Sequence, residues 1–333
     1  MIKLPRLLEV RNLRTYFFSS GKTIPAVDGV SFHIDKGETL CVVGESGCGK
    51  TVTSLSIMQL IPCPPGRYMS GQIIFEGEDL LRKSKAEMRS IRGNDISMIY
   101  QEPMTSLNPV FSIGYQIMET LKLHQNLDNK QALAKAEQML SLVGISDPAR
   151  RLIEYPHQLS GGICQRVMIA MGLCCNSKLL IADEPTTALD MTIQAQILEL
   201  ILKLKKKFGM AIMYITHDMG VVAEIAERVI VLYGGKIVEE APVENIFEQP
   251  LHPYTEGLLT CIPSIEERVK ELNVIKGTVP SPANYPAGCR FNPRCPYAQP
   301  ICSQKEPQLR QFGLCRVACH FKPEDRHRNE ELE

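Results

Sequence analysis

The run GESGCGKT at 44–51 combines three glycines, a lysine and a hydroxyl at the spacing that binds a polyphosphate. Its glycines let the backbone curl so that successive N–H groups point at phosphate oxygens, and a following helix offers its positive end. In that chemistry Gly44, Glu45, Ser46, Gly47, Cys48, Gly49 and Val52 form the cradle, Lys50 reaches the β and γ phosphates, and Thr51 binds Mg²⁺. Cys48 reads as a small residue facing inward. Far downstream, Asp183 closes the apolar run 179–182, where a carboxylate can hold a magnesium water shell. Glu184 beside it can orient and deprotonate an attacking water. His217, just past the apolar run 211–215, stands at a strand end of the kind where α/β sheets present ligands, and is expected to contact the γ-phosphate. The set points to Mg²⁺-dependent hydrolysis of a nucleoside triphosphate.

These residues need a scaffold that brings strand ends to one edge. The segments 6–11, 26–34 and 38–43 read as short strands, with Asp28-Gly29 and Lys36-Gly37 as tight turns between them, so the chain should open antiparallel. From Val42 onward the pattern becomes apolar strand, glycine turn, helix (52–60), and the apolar runs 179–182, 211–215 and 229–232 suit buried parallel strands. This is an α/β core. Residues 129–143 predict a helix that buries Leu133, Ala136, Leu140 and Val143, and with 102–128 they form an inserted helical lobe. A second amphipathic helix spans 191–207, capped by Asp190, with solvated Lys203, Lys205, Lys206 and Lys207 near its end. Past Pro250 one helix is expected in LHPYTEGLLTCIPS, after which Pro280, Pro282, Pro286, Pro293, Pro296 and Pro300 should interrupt regular structure. The tail HRNEELE should fray.

Lysine plus arginine equals aspartate plus glutamate, 37 against 37 in 333 residues, so no basic excess exists to hold nucleic acid. The start MIKLPRLLEV has neither a long apolar run nor a cleavage site, and no segment reaches the length of a spanning helix, which predicts a cytosolic chain. There the 12 cysteines should stay reduced, as buried thiols or metal ligands.

With Gln101 and the LSGG at 159–162 added, the ordered motifs resemble those of the ATPase subunits of ABC transporters over nearly the whole chain. That likeness implies a P-loop ABC-type nucleotide-binding domain over 1–250: a mixed sheet core, an antiparallel β subdomain and a helical subdomain at about 102–160. A small Cys/Pro-rich extension would occupy 251–333. It further implies that Gln101 meets Mg²⁺ and water, and that Ser160, Gly161 and Gly162 bind the γ-phosphate held by a partner subunit. Asp190 would lie in the loop after the acidic pair, and Tyr16, with Phe17 as the competing choice, would stack on adenine. Ile163 stands where many relatives carry the glutamine of LSGGQ, so a side-chain contact from that position is not expected.

YQEPMTSLNP at 100–109, HPYTEGLL at 252–259 and the cysteine-rich end look like the peptide-importer subgroup, which also contains nickel importers. The likeness implies two permease subunits reached by residues after Gln101, a second ATPase (itself or a homologue), an extracytoplasmic substrate-binding protein, and a place on the cytoplasmic side of the membrane. Cys289, Cys295, Cys302, Cys315 and Cys319 fall within 31 residues, while the other seven cysteines are dispersed. The gaps of five, six and sixteen residues between Cys289, Cys295, Cys302 and Cys319 are looser than paired zinc knuckles. Four thiolates in proline-flanked loops can instead hold an iron–sulfur cluster, and the similarity to the tails of peptide-importer ATPases implies a 4Fe–4S one, with Cys315 the spare thiol and substitute ligand. Structural zinc and unliganded thiols stay open, as do a soluble ABC ATPase acting on nucleic acid and an iron–sulfur sensor.

Overall fold

The computed structural model describes residues 5–19, 21–102, 106–187, 189–261 and 274–326. Part of YQEPMTSLNP, the end of LHPYTEGLLTCIPS and the tail HRNEELE therefore lie outside the described residues. The chain is mixed α/β and divides into two compact units. One is built on Leu80–Tyr214 with Ile34–Glu38; the other on Leu8–His33, Thr39–Asp79 and the chain from Ile215 on.

Two long strands, β1 (Arg6–Ser19) and β2 (Lys22–Asp35), open the chain, followed by β3 (Thr39–Val43) and helix α1 (Lys50–Ile57). With β4 (Gly66–Phe75) and β5 (Glu78–Asp79) the first two make a four-stranded sheet in the order β2-β1-β4-β5, antiparallel at β1–β4 and β4–β5. Asp28-Gly29 is not a turn: both residues lie inside β2, where Gly29 takes φ +81° without ending the strand. Lys36-Gly37 is the turn expected.

In the unit built on Leu80–Tyr214, α2 (Lys85–Ile91) leads to β6 (Ile96–Ile99) and to a helical region of α3 (Ile113–Gln125), α4 (Asn129–Leu142) and α5 (Pro148–Ile153). Then follow α6 (Gly161–Leu173), β7 (Leu179–Asp183), α7 (Met191–Phe208) and β8 (Ala211–Thr216). β6 and β7 run parallel, in register from Ile96 with Leu179 to Ile99 with Ala182. All five residues of β7 are buried, as a strand covered on both faces requires. Ala136, Leu140 and Val143 are buried as expected, but Leu133 is 47% exposed, and Ala132 and Met139 complete the buried face of α4 instead. Stepping by four and then three from Ala132 reaches Ala136 and Met139 and leaves the neighbouring leucine outside.

In the other unit α8 (Met219–Ile225), β9 (Arg228–Tyr233), β10 (Lys236–Pro242), α9 (Val243–Glu248) and α10 (Pro253–Thr260) follow in turn. β9 lies parallel to β3, pairing Leu40 with Arg228 through Val43 with Val231, and antiparallel to β10. The proline-rich end is not devoid of regular structure. It holds α11 (Pro300–Gln304) and a hairpin of β11 (Arg310–Phe312) and β12 (Cys315–Val317), and β12 pairs with β10. Three-residue strands suffice there because the partner edge is already in place, and Glu240 of β10 ion-pairs with both Arg228 and Arg316. A cluster of Tyr233, Tyr254 and Phe291, each at most 2% exposed, packs α10 and the cysteine-rich loops onto β9, with ring centroids 4.7–5.4 Å apart.

Candidate functional site

β3 ends in the phosphate-loop run, whose shape its own packing dictates. A side chain at Gly44 (φ +150°) would strike the Leu232 carbonyl, and one at Gly49 (φ +106°) the Ala26 carbonyl. Gly49 then serves as N-cap of α1 in the left-handed region. Lys50, only 5% exposed, donates from Nζ to the carbonyl oxygens of Gly44 (2.6 Å) and Glu45 (3.2 Å). Ser46, Gly47 and Thr51 are exposed, and Val52 is half-buried. Cys48 is fully buried, and burial pushes its thiol pKa up.

Glu45 is held at both ends by residues that spacing gave no reason to single out. Its N–H donates to Tyr254 Oη at 2.8 Å, and its carboxylate accepts from Arg294 Nη1 and Nη2 at 2.6 and 3.0 Å. Tyr16 donates its hydroxyl to the Asp28 carboxylate at 2.8 Å, beside Arg14, Lys236 and Arg290. Burial and then that hydrogen bond raise the Tyr16 pKa. Arg290 also donates to the Gly234 carbonyl, and the Gly235 N–H donates to the Cys48 carbonyl, so this polar network reaches the phosphate loop. His217 is exposed immediately after β8.

The other unit brings Gln101 and Glu184 together. Gln101 Nε2 donates to Glu184 Oε2 at 3.3 Å, and Thr187 Oγ1 donates to the same oxygen at 3.0 Å. Glu184 has φ +46°, a left-handed backbone that ends β7 abruptly. Asp183 just before it is 4% exposed. Asp190 caps α7, accepting the Ile193 N–H at 3.0 Å, as the sequence suggested. Ser160 is the N-cap residue of the 13-residue α6 but makes no side-chain cap bond; it and Gly161 are exposed, and Gly162 is half-buried. The positive end of that helix thus begins at two exposed residues, an arrangement that suits an anion.

Cys289, Cys295, Cys302 and Cys319 line one cavity with Phe291, Tyr297 and His252. The Cys289 N–H donates to the Cys302 carbonyl at 2.7 Å, which ties two of the loops together. Burial, the dominant cause, pushes the Cys289 thiol up to about 11 and the Cys295 thiol up to about 12, with the other thiols of the set adding to it. Cys315 is apart from this cavity: it sits on β12 near Glu239. Among the described residues no three His, Cys, Asp or Glu side chains form a group that could hold a single metal ion.

Two family models match the chain: "ABC transporter" over residues 27–187 and "Oligopeptide/dipeptide transporter, C-terminal region" over 238–302. The oligopeptide transport ATP-binding protein AppD of Bacillus subtilis is 58% identical over 303 residues, covering 91% of this chain and 92% of that protein. The dipeptide transport ATP-binding protein DppD of Escherichia coli is 48% identical over 320 residues, 96% of this chain and 98% of its own. Among solved structures, the ATP-binding cassette MJ0796, seen as a dimer in a post-hydrolysis state with ADP and Pi, is similar. Its TM-score is 0.64 at 26% identity, covering 71% of this chain and 98% of that one.

Proposed function

The chain belongs to the ABC transporter ATP-binding proteins of the oligopeptide/dipeptide type, and from that premise we propose that it is the ATP-hydrolysing, energy-coupling subunit of a peptide importer. It acts as a peripheral subunit on the cytoplasmic face of the membrane, with permease subunits and a second ATPase as partners and a substrate-binding protein delivering peptide from outside. The observation that carries the reading is the presence in one chain of both matched segments, aligned over nine-tenths of its length with a named oligopeptide transport protein. Among the described residues no helix is long and apolar enough to cross a membrane, so permeation is left to partners.

In this reading residues 1–250 are the ATPase domain, with a helical subdomain at about 102–160, and 251–333 are the extension. Lys50 draws the β and γ phosphates; Thr51, Gln101 and Asp183 hold Mg²⁺ directly or through water. Glu184 takes a proton from the attacking water, its carboxylate aimed by the two donors Gln101 and Thr187. His217 steadies the γ-phosphate, and Tyr16 carries the adenine. Ser160, Gly161 and Gly162, at the start of α6, close on the nucleotide of the second ATPase, with Asp190 in the adjoining loop.

The same reading gives Cys289, Cys295, Cys302 and Cys319 a 4Fe–4S cluster to hold. Support comes from the donor chemistry: four thiols share one cavity, and Cys315 is not among the residues that line it. When bound, such a group supplies cationic iron that lets buried thiols ionise and cross-links loops too poor in apolar side chains to order themselves.

Extraction of the native complex tests the whole. A copurifying permease pair, ATPase activity stimulated by peptide-loaded binding protein and visible iron–sulfur absorption are the expected results. Purification of the chain alone on RNA would overturn the transport reading, and a colourless preparation with stoichiometric zinc would overturn the cluster.

A further inference from the structure

A carboxylate inside a phosphate-binding loop is a liability, because it repels the triphosphate that the loop must hold. Glu45 is such a carboxylate, second residue of GESGCGKT and only half-buried. Arg294 meets it with both terminal nitrogens, at 2.6 and 3.0 Å, and the arginine side chain is itself only 3% exposed. That fork is fixed from behind. Arg294 Nε donates to the Lys276 carbonyl at 3.0 Å, Nη2 to the Ile275 carbonyl at 3.3 Å, and its guanidinium lies over the Tyr233 ring, 5.9 Å from the centroid. Tyr254, from the HPY stretch that opens α10, accepts the Glu45 N–H at 2.8 Å. Both contacts come from the last third of the chain, 209 and 249 residues away in sequence.

We propose that Arg294 is a positioning residue for nucleotide binding: it neutralises Glu45 and, with Tyr254, pins the first turn of the phosphate loop in its binding shape. The proposal rests on the nucleotide reading of residues 44–51. It gives the extension a task inside the ATPase cycle, since the arginine directly precedes Cys295 and is presented by the cysteine-bearing loops.

The test measures the Kd of MgATP for the purified chain by fluorescent-analogue displacement, with thermal melts as the fold control. Arg294→Gln leaves the Glu45 charge uncompensated, and the Kd should rise about ten-fold at low ionic strength and less at high salt. Adding Glu45→Gln in that background should recover most of the loss, which a merely structural arginine would not allow. If Arg294→Gln does not stay folded, Arg294→Lys keeps the charge but loses the two-nitrogen fork and the stack on Tyr233, so its Kd should rise, though by less than about ten-fold. Wild-type affinity in Arg294→Gln, no recovery in the double variant, or a ten-fold loss in a folded Arg294→Lys would each overturn the proposal. Failure of the wild-type chain to bind MgATP at all would instead remove the nucleotide reading beneath it.

Discussion

GESGCGKT at 44–51 and LSGG at 159–162 both turn the chain into the start of a helix, yet they are held in opposite ways. The first is braced from every side: Leu232 and Ala26 carbonyls leave no room for side chains at Gly44 and Gly49, Lys50 gathers two loop carbonyls, and Tyr254 and Arg294 grip Glu45. The second is bare. A Cβ at Gly161 would meet nothing within 4 Å, one at Gly162 would meet only the side chain of Ile193, and Ser160 makes no cap bond. Glycine at Gly44 and Gly49 is demanded by the molecule's own packing, whereas among the described residues no atom demands it at Gly161. The need there is assigned, on the reading above, to a nucleotide carried by the neighbouring ATPase.

Substitutions sharpen this contrast in descending order of effect. Glu184→Gln touches neither turn and removes only the carboxylate proposed to activate water. Turnover should fall by about 10²–10⁴ with MgATP affinity kept, and unchanged single-turnover hydrolysis would show the base to be elsewhere. Gly49→Ala attacks the braced turn. The left-handed φ and the Ala26 carbonyl together should cost roughly 2–4 kcal/mol of stability, visible as a lowered melting temperature, and abolish nucleotide binding. Gly161→Val attacks the bare one. Its melting temperature should move by no more than about 2 °C and MgATP binding should persist, while hydrolysis by the assembled transporter drops at least ten-fold or so. A destabilised Gly161→Val would mean that the second turn is structural like the first.

The smallest effect probes the bracing through pH. His252 is 1% exposed, and burial, followed by the charge of Arg326, holds its imidazole down to about 3 against an ordinary 6.5. The unfolded chain therefore binds a proton between those values that the folded one refuses, so stability rises with pH across that window and is lost as pH falls below 6.5. The loss is about 1.4 kcal/mol per pH unit at most. Buried Glu239, whose carboxylate takes the His252 and Leu251 N–H groups, is raised by its burial and works the other way. Comparison with His252→Asn, which keeps a capping acceptor for the Tyr254 N–H, isolates the histidine: the wild-type melting temperature should fall more steeply than the variant's between pH 6.5 and 5. Parallel curves would mean that the imidazole is not held neutral.

What the sequence disclosed and what it withheld divide along the same line. The phosphate loop, the apolar strands that end in Asp183 and near His217, and the Asp190 cap were legible because each depends on neighbours a few residues away. The grip on Glu45 was not, since no local rule links it to residues 209 and 249 positions away. Asp28-Gly29 looked like a turn because its composition fits one; long strand pairing overrode it and left Asp28 to collect Tyr16, Lys236 and Arg290. β11 and β12 were hidden by their shortness, since such triplets become strands only against the edge of β10. Leu133 shows the limit of periodicity when two adjacent apolar residues compete for one face.

The central claim is that cleavage needs the braced loop of one molecule and the bare turn of another. Turnover per molecule, followed by phosphate release across a dilution series while sedimentation reports the oligomeric state, tests it most directly. The account predicts that the rate collapses as ATPase pairs dissociate and returns when they re-form. A strictly monomeric chain that hydrolyses ATP at the undiminished rate would contradict it.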